Sequence, residues 1–180
     1  MTCDLCSGRL HFRDNDGSYS RCSCFIKHLQ LRRQEAFKDV VAVDYSPLAE
    51  KLTKSIRVEC SPNRFRQHLA RIALSKASFN ICALDSNVLM DRLMGKKNNN
   101  TSFLTVDLLV IDFNSAMRNR HIPSYLAGIL RSRRLREKAS WLLLHEWDLP
   151  SLISRIDPDH SAAAIDDFEK IITSFEEIKL

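Results

Sequence analysis

The sequence predicts an α/β protein, a parallel, doubly wound sheet flanked by helices and preceded by a small cysteine-bearing segment. Three observations predict it. Short continuous apolar runs alternate with stretches of helical periodicity from residue 55 onward, the pattern of buried parallel strands joined by crossover helices. Four of the six cysteines fall within the first 24 residues, which sets that stretch apart. The composition, 44% hydrophobic and 27% charged over 180 residues, suits one globular domain of moderate size with a small appendage. We place the boundary between residues 1–45 and 46–180.

The cysteines come as CDLC (3–6) and CSC (22–24). MTCDLC carries no basic stretch followed by an apolar one, so no secretory signal is read, and no run approaches the roughly 20 apolar residues that cross a bilayer. A cytoplasmic, membrane-free protein is expected, and a reducing compartment turns clustered cysteines toward metal rather than disulfides. Cys3, Cys6, Cys22 and Cys24 supply two close pairs, the donor set of a tetrahedral structural zinc site with no open position for catalysis. Between the pairs, RLHFR and SYSR read as strands and NDG (15–17) as a hairpin turn, which brings the pairs together. The C-x-C half is tighter than the usual spacing, and His11 and His28 are the alternative ligands.

FIKHLQLRRQEAFKDVV (25–41) has helical apolar spacing with basic residues between. VDYSPLAEKLTK (43–54) reads as a second helix, with Ser46 as N-cap and Pro47 at its first position. Four apolar runs then read as strands: SIRVEC (55–60), FNICALD (79–85), VDLLVIDF (106–113) and SWLLLHEW (140–147). Helical patterns fill the gaps: NRFRQHLARIALSKA (63–77), SNVLMDRLMG (86–95) and SYLAGILRSRRLREKA (124–139). KKNNNTS (96–102) is the clear loop. After the helix AAAIDDFEKIIT, SFEEIKL (174–180) is a candidate further strand. Cys60 and Cys82 lie in apolar runs and are expected in the core.

Two places point to nucleotide chemistry. ECSPNRFRQHLA (59–70) occupies the strand–turn–helix position of a P-loop but lacks its glycines, lysine and hydroxyl. VDLLVIDF ends in Asp112, where a P-loop NTPase keeps the acid that holds Mg²⁺; an Asp that caps the following turn would look the same. The order of parts resembles bacterial and phage replicative-helicase loaders of the DnaC type, AAA+ proteins related to the IstB transposition ATPases. CDLCSG…RCSCFIKHL is similar to the zinc-binding N-terminal segment, VDLLVIDF to the Walker B strand, and IPSYLAGILRSRRLREKASWLLL to the helix and strand before sensor 1.

The resemblance implies a P-loop NTPase-like sheet, and the departures from it imply lost chemistry. With HLA (68–70) as anchor, Cys60 and Phe65 stand for the two glycines of G-x-x-x-x-G-K-S/T, Asn63 lies between them, Arg66 stands for the lysine and Gln67 for the hydroxyl. Side chains at the glycine positions keep backbone N–H groups from wrapping phosphates, and a guanidinium fork is a poor replacement for a compact ammonium. Phe113 replaces the acid after Asp112, and His145 or Glu146 takes the sensor 1 position. ATP is therefore not expected as a cofactor, nor hydrolysis as an activity, and the AAA+ helical lid is expected to be missing.

Charge is uneven. The net +5 gathers in residues 115–140, where Arg118, Arg120, Arg131, Arg133, Arg134, Arg136 and Lys138 face one acid, Glu137. Such a cluster contacts phosphates or an acidic partner, or is a solvated helix face with Leu135 tucked inward. Arg155 reads as a surface arginine, with a finger toward a neighbouring nucleotide as the alternative. No H-E-x-x-H or G-x-S-x-G motif is present.

The expected function is a non-catalytic, loader-like adaptor in DNA replication or recombination. It would bind DNA, a replicative helicase or a related ATPase, in a hetero-oligomer, nucleoid-associated if the host is bacterial or phage. The alternatives are a degenerate RecA-like paralogue scaffolding a recombination complex, an active ATPase loader with a variant P-loop, and a plain zinc-dependent DNA-binding protein. Sheet order is expected to separate the AAA+ from the RecA-like reading.

Overall fold

The computed structural model describes residues 3–144 apart from 5, 8, 10, 14, 77, 94–100 and 114–121, then residue 153 and residues 162–180. Two compact units emerge: Met1–Ser46 with Gln67–Phe79, and Pro47–Arg66 with Asn80–Leu180.

The first unit opens with an antiparallel hairpin, β1 (His11–Arg13) and β2 (Tyr19–Arg21), in register His11↔Arg21. Its turn is made by local chemistry. Gly17 sits at φ +86, a conformation that costs glycine little. The Asp16 carboxylate accepts the Ser18 N–H at 2.9 Å, and that bond holds its pKa below the usual carboxylate range. Helix α1 (Ser23–Ala36) follows, starting two residues before the predicted run and stopping five before its end.

The second unit holds a five-stranded parallel sheet: β3 (Ile56–Glu59), β4 (Ile81–Asp85), β5 (Leu108–Phe113), β6 (Ala139–Leu144) and β7 (Glu176–Lys179). Their order is β4-β5-β6-β3-β7, so SFEEIKL does supply a strand. Helix α2 (Pro62–Ser75) leads from β3 to β4 and runs from this unit into the first. Helices α3 (Ser86–Leu93), α4 (Ile122–Leu135) and α5 (Ala162–Thr173) complete the crossovers. The run SPLAEKL forms only a 3₁₀ turn, Pro47–Glu50, and the buried Ser46 Oγ has no hydrogen-bond partner among the described residues. The end of the predicted loop, Thr101 and Ser102, enters a 3₁₀ turn, Thr101–Leu104, whose Phe103 is buried.

Burial follows the pleat. Leu84, Ile111, Leu142 and Arg57 share one row across four strands. On that face Leu109, Ile111, Leu142 and Leu144 pack with Leu126 and Leu130 of α4 and Phe168 and Ile172 of α5. On the other, Ile56, Val58, Trp141 and Leu143 are buried, and the Trp141 Nε1–H donates to the Lys54 carbonyl at 3.1 Å. Toward the β7 edge the first face turns ionic. Arg57 pairs with Glu177 at 3.0 Å, and Lys179 with both Glu177 at 3.1 Å and Glu59 at 2.9 Å.

Candidate functional site

The C-terminal ends of the strands form the edge where open α/β sheets bind ligands. Register places Asp112 beside Asp85 on one side and Leu143 on the other, and β6 separates the Asp112 strand from β3. Asp112 is half-buried. Asp85 was not singled out by sequence. Its Oδ1 accepts the Asn87 N–H at 2.8 Å and starts α3, and the signal was available in an apolar run closing on Asp-Ser-Asn.

Between β3 and α2 stand only Cys60 and Ser61. The helix is already running at Pro62, so Asn63, Phe65, Arg66 and Gln67 are all helical. The Phe65 N–H is spent on the Ser61 carbonyl at 3.0 Å, and Pro62 has no N–H to offer. Phe65 is 4% exposed and Cys60 5%. Burial pushes the Cys60 thiol pKa up. Arg66 is exposed and Gln67 half-buried. Ser61-Pro62 is the usual start of a helix, N-cap followed by Pro. That local signal places the start correctly, four residues ahead of the Arg66–Gln67 position at which a P-loop helix would open.

The basic stretch divides. Arg133 is a correction: it is 0% exposed and unavailable to any surface partner. Its Nη1 donates to the carbonyls of Phe103 at 2.6 Å and Val106 at 3.1 Å, its Nε to Ser140 Oγ at 3.0 Å, and its Nη2 to the Ala139 carbonyl. Burial pulls its pKa down to about 10, so the guanidinium is still a cation at neutral pH. Arg131 pairs with Asp167, and Lys138 with Asp107 at 2.8 Å. Arg134 and Arg136 are exposed. Leu135 is also exposed, at 81%, rather than tucked inward. Arg118, Arg120, His145, Glu146 and Arg155 lie outside the described residues.

The cysteines converge. The four Sγ atoms of Cys3, Cys6, Cys22 and Cys24 all lie within 4.8 Å of one another, with Cys3–Cys22 at 3.4 Å and Cys6–Cys24 at 3.3 Å. A tetrahedral zinc with Zn–S of about 2.3 Å sets its sulfurs about 3.8 Å apart, so the cluster fits that ion. Local turns build each half. Ser7 N–H and Cys6 N–H both donate to the Cys3 carbonyl, with Ser7 at φ +47. Cys22 is the N-cap of α1 and Cys24 sits in its first turn, which is how a C-x-C can serve where C-x2-C is usual. The Cys24 backbone N–H and thiol draw the Cys22 pKa down to about 7, while Cys24, crowded by its sulfur neighbours, is pushed up. His11 packs against Phe25 with ring centroids 5.8 Å apart and is not in the cluster. Among the described residues no helix is long and apolar enough to cross a membrane.

No family model and no curated protein matches the sequence. Solved structures do. The crystal structure of DnaI matches with TM-score 0.54 at 17% identity, covering 83% of this chain and 78% of that one. The DnaC helicase loader matches at 0.46 and 18% identity, covering 86% and 90%. The replication initiator DnaA bound to AMPPCP and single-stranded DNA matches at 0.46 and 15%, covering 80% and 49%. The fold assignment rests on the first of these. The chain has the parallel-sheet fold of DnaI, with four close cysteines ahead of the sheet in sequence.

Proposed function

We propose that this protein is a non-hydrolysing, loader-like adaptor of DNA replication or recombination, acting through contacts with DNA and a replicative helicase or related ATPase in the cytoplasm. The observation that carries the reading is the position of the α2 start. A phosphate cradle is a loop whose successive free N–H groups curl around an anion. Here the corresponding residues are wound into helix, and Phe65 is buried where a glycine would leave room. Asp112 keeps its strand-end place, yet the opposite half of a Mg²⁺–nucleotide site has no loop to complete it.

The four cysteines hold a structural zinc in this reading. The cluster has the ligand number and sulfur spacing, and a closed thiolate set supplies fold rather than reaction. The exposed Arg134 and Arg136, with Arg131 beside them, are the cationic surface offered to phosphates or an acidic partner.

Calorimetric titration of the zinc-loaded protein with Mg²⁺–ATP at millimolar nucleotide tests the reading. No binding heat is expected. Micromolar binding would overturn it and make Arg66 and Asp112 working residues of a variant ATPase.

A further inference from the structure

Arg33 is the one buried residue of α1, at 7% exposure. A lone buried guanidinium in a helix of this kind needs a reason, because desolvating it is costly without full hydrogen bonding. Its acceptors supply the reason. Nη1 donates to the carbonyls of Ala73 and Lys76, both at 2.9 Å, and Nη2 to the carbonyl of Phe79. Ala73 lies in the last turn of α2, and Lys76 and Phe79 follow its end at Ser75. The Ala73 carbonyl is among the last four of the helix, which have no partner inside it, and the Lys76 carbonyl also accepts the Phe79 N–H at 3.0 Å. Burial lowers the Arg33 pKa, and the planar fork remains charged and complementary to the negative end of α2.

The other end of α1 is the cysteine cluster. Cys22 caps the helix and Cys24 lies in its first turn. Between these anchors α1 has little to hold it: Ile26 and Leu31 are 42% and 64% exposed. A 14-residue helix with so little packing is marginal in water.

We propose that metal occupancy at the four cysteines controls the order of the C-terminal end of α2, with α1 as the rod and Arg33 as the grip. This rests on the zinc reading above and deepens it. With the sulfurs fixed, the first turn of α1 is fixed, and Arg33 is held over the three carbonyls. Without them α1 frays from Cys22 onward, the guanidinium withdraws, and Ala73, Lys76 and Phe79 lose their cap. Because α2 begins at the β3 turn, the state of the cysteines then reaches the helix that succeeds the degenerate phosphate loop.

Hydrogen exchange read by mass spectrometry on the full chain tests this, with zinc content measured alongside. Chelation is expected to speed amide exchange in α1 and over residues 70–79 by about tenfold or more, while β5 and β6 stay protected. Zinc-loaded Arg33→Gln should show the same acceleration at 70–79 with zinc still bound, and Arg33→Lys should fall between. Three results overturn the proposal: no response of 70–79 to chelation, protection retained in zinc-loaded Arg33→Gln, or β5 and β6 opening as fast as 70–79. A chain that takes up no zinc overturns the zinc reading and the proposal together, and the metal measurement distinguishes that case.

Discussion

β6 and α1 show how differently the two units are held. All six residues of β6 are buried, from Ala139 to Leu144. Of the fourteen residues of α1, only Arg33 is. Among the described residues, the large apolar side chains left exposed include Ile26, Leu31, Val41, Tyr45 and Leu74 in the cysteine unit, against Tyr125 and Leu135 in the sheet unit. The sheet unit is stabilised by area: each buried Leu, Ile or Val contributes about 1.5–3 kcal/mol, and no single loss is decisive. α1 has too little apolar burial for that and depends on a few strong, localised ties.

Metal removal should separate the two units most clearly. Structural zinc contributes roughly 10 kcal/mol or more to small metal-bound folds at neutral pH. Chelation should therefore melt the cysteine unit and leave the sheet unit folded, seen as loss of hairpin and α1 amide signals while the Trp141 resonance stays. Simultaneous loss of both would show that the units are one cooperative block. Acid should act like the chelator. Metal binding needs thiolates, so protons compete with the metal for the four sulfurs and its apparent affinity falls as pH is lowered.

Arg133 tests the sheet unit at its least typical point. It is the counterpart of Arg33, a buried cation that gathers carbonyls, but it sits within a large apolar core. Arg133→Met keeps the volume and removes every donor, leaving the Phe103, Val106 and Ala139 carbonyls without it. Each buried acceptor left unpaired costs about 1–3 kcal/mol, so a loss of about 3 kcal/mol or more is expected in the urea midpoint. A neutral substitution would mean that water or relaxed backbone takes over those acceptors.

Arg133 also marks where the sequence was hardest to interpret. VDLLVIDF and SWLLL announced β5 and β6 because strands covered on both faces need apolar residues at every position. The cysteine spacing announced the cluster because two short pairs and a hairpin leave few other arrangements. RSRRLREK gave no such guidance. Its five cations look alike locally, and what buries one of them is a set of carbonyls at residues 103–107 and 139, distant in sequence from the helix or beyond its end. Ser-Pro occurs twice as a helix-start signal and shows the same limit. At Ser61-Pro62 it opens fourteen helical residues, since Phe65, Leu69, Ala70, Ile72 and Ala73 continue an apolar face. At Ser46-Pro47 it opens one 3₁₀ turn, because the chain must extend into β3 by Ile56. The dipeptide fixes where a helix starts; burial farther along fixes how long it lasts.

The smallest effect lies at the end of α4, and it has the opposite sign. The helix closes with Glu137 N–H on the Arg134 carbonyl at 3.0 Å and Lys138 N–H on the Arg133 carbonyl at 2.9 Å. That closure puts Glu137 at φ +55, the left-handed conformation where glycine is normally found. Its Cβ is strained there by about 1 kcal/mol, and the side chain is exposed. Glu137→Gly removes the strain and the one acid of the basic stretch, at the expense of a more flexible unfolded chain. A net gain of about 0.5–1 kcal/mol is expected in the sheet unit's unfolding midpoint, with zinc content unchanged. A loss instead would mean that Glu137 holds a neighbouring arginine in place, and that the basic surface is organised by its acid as well as by the helix.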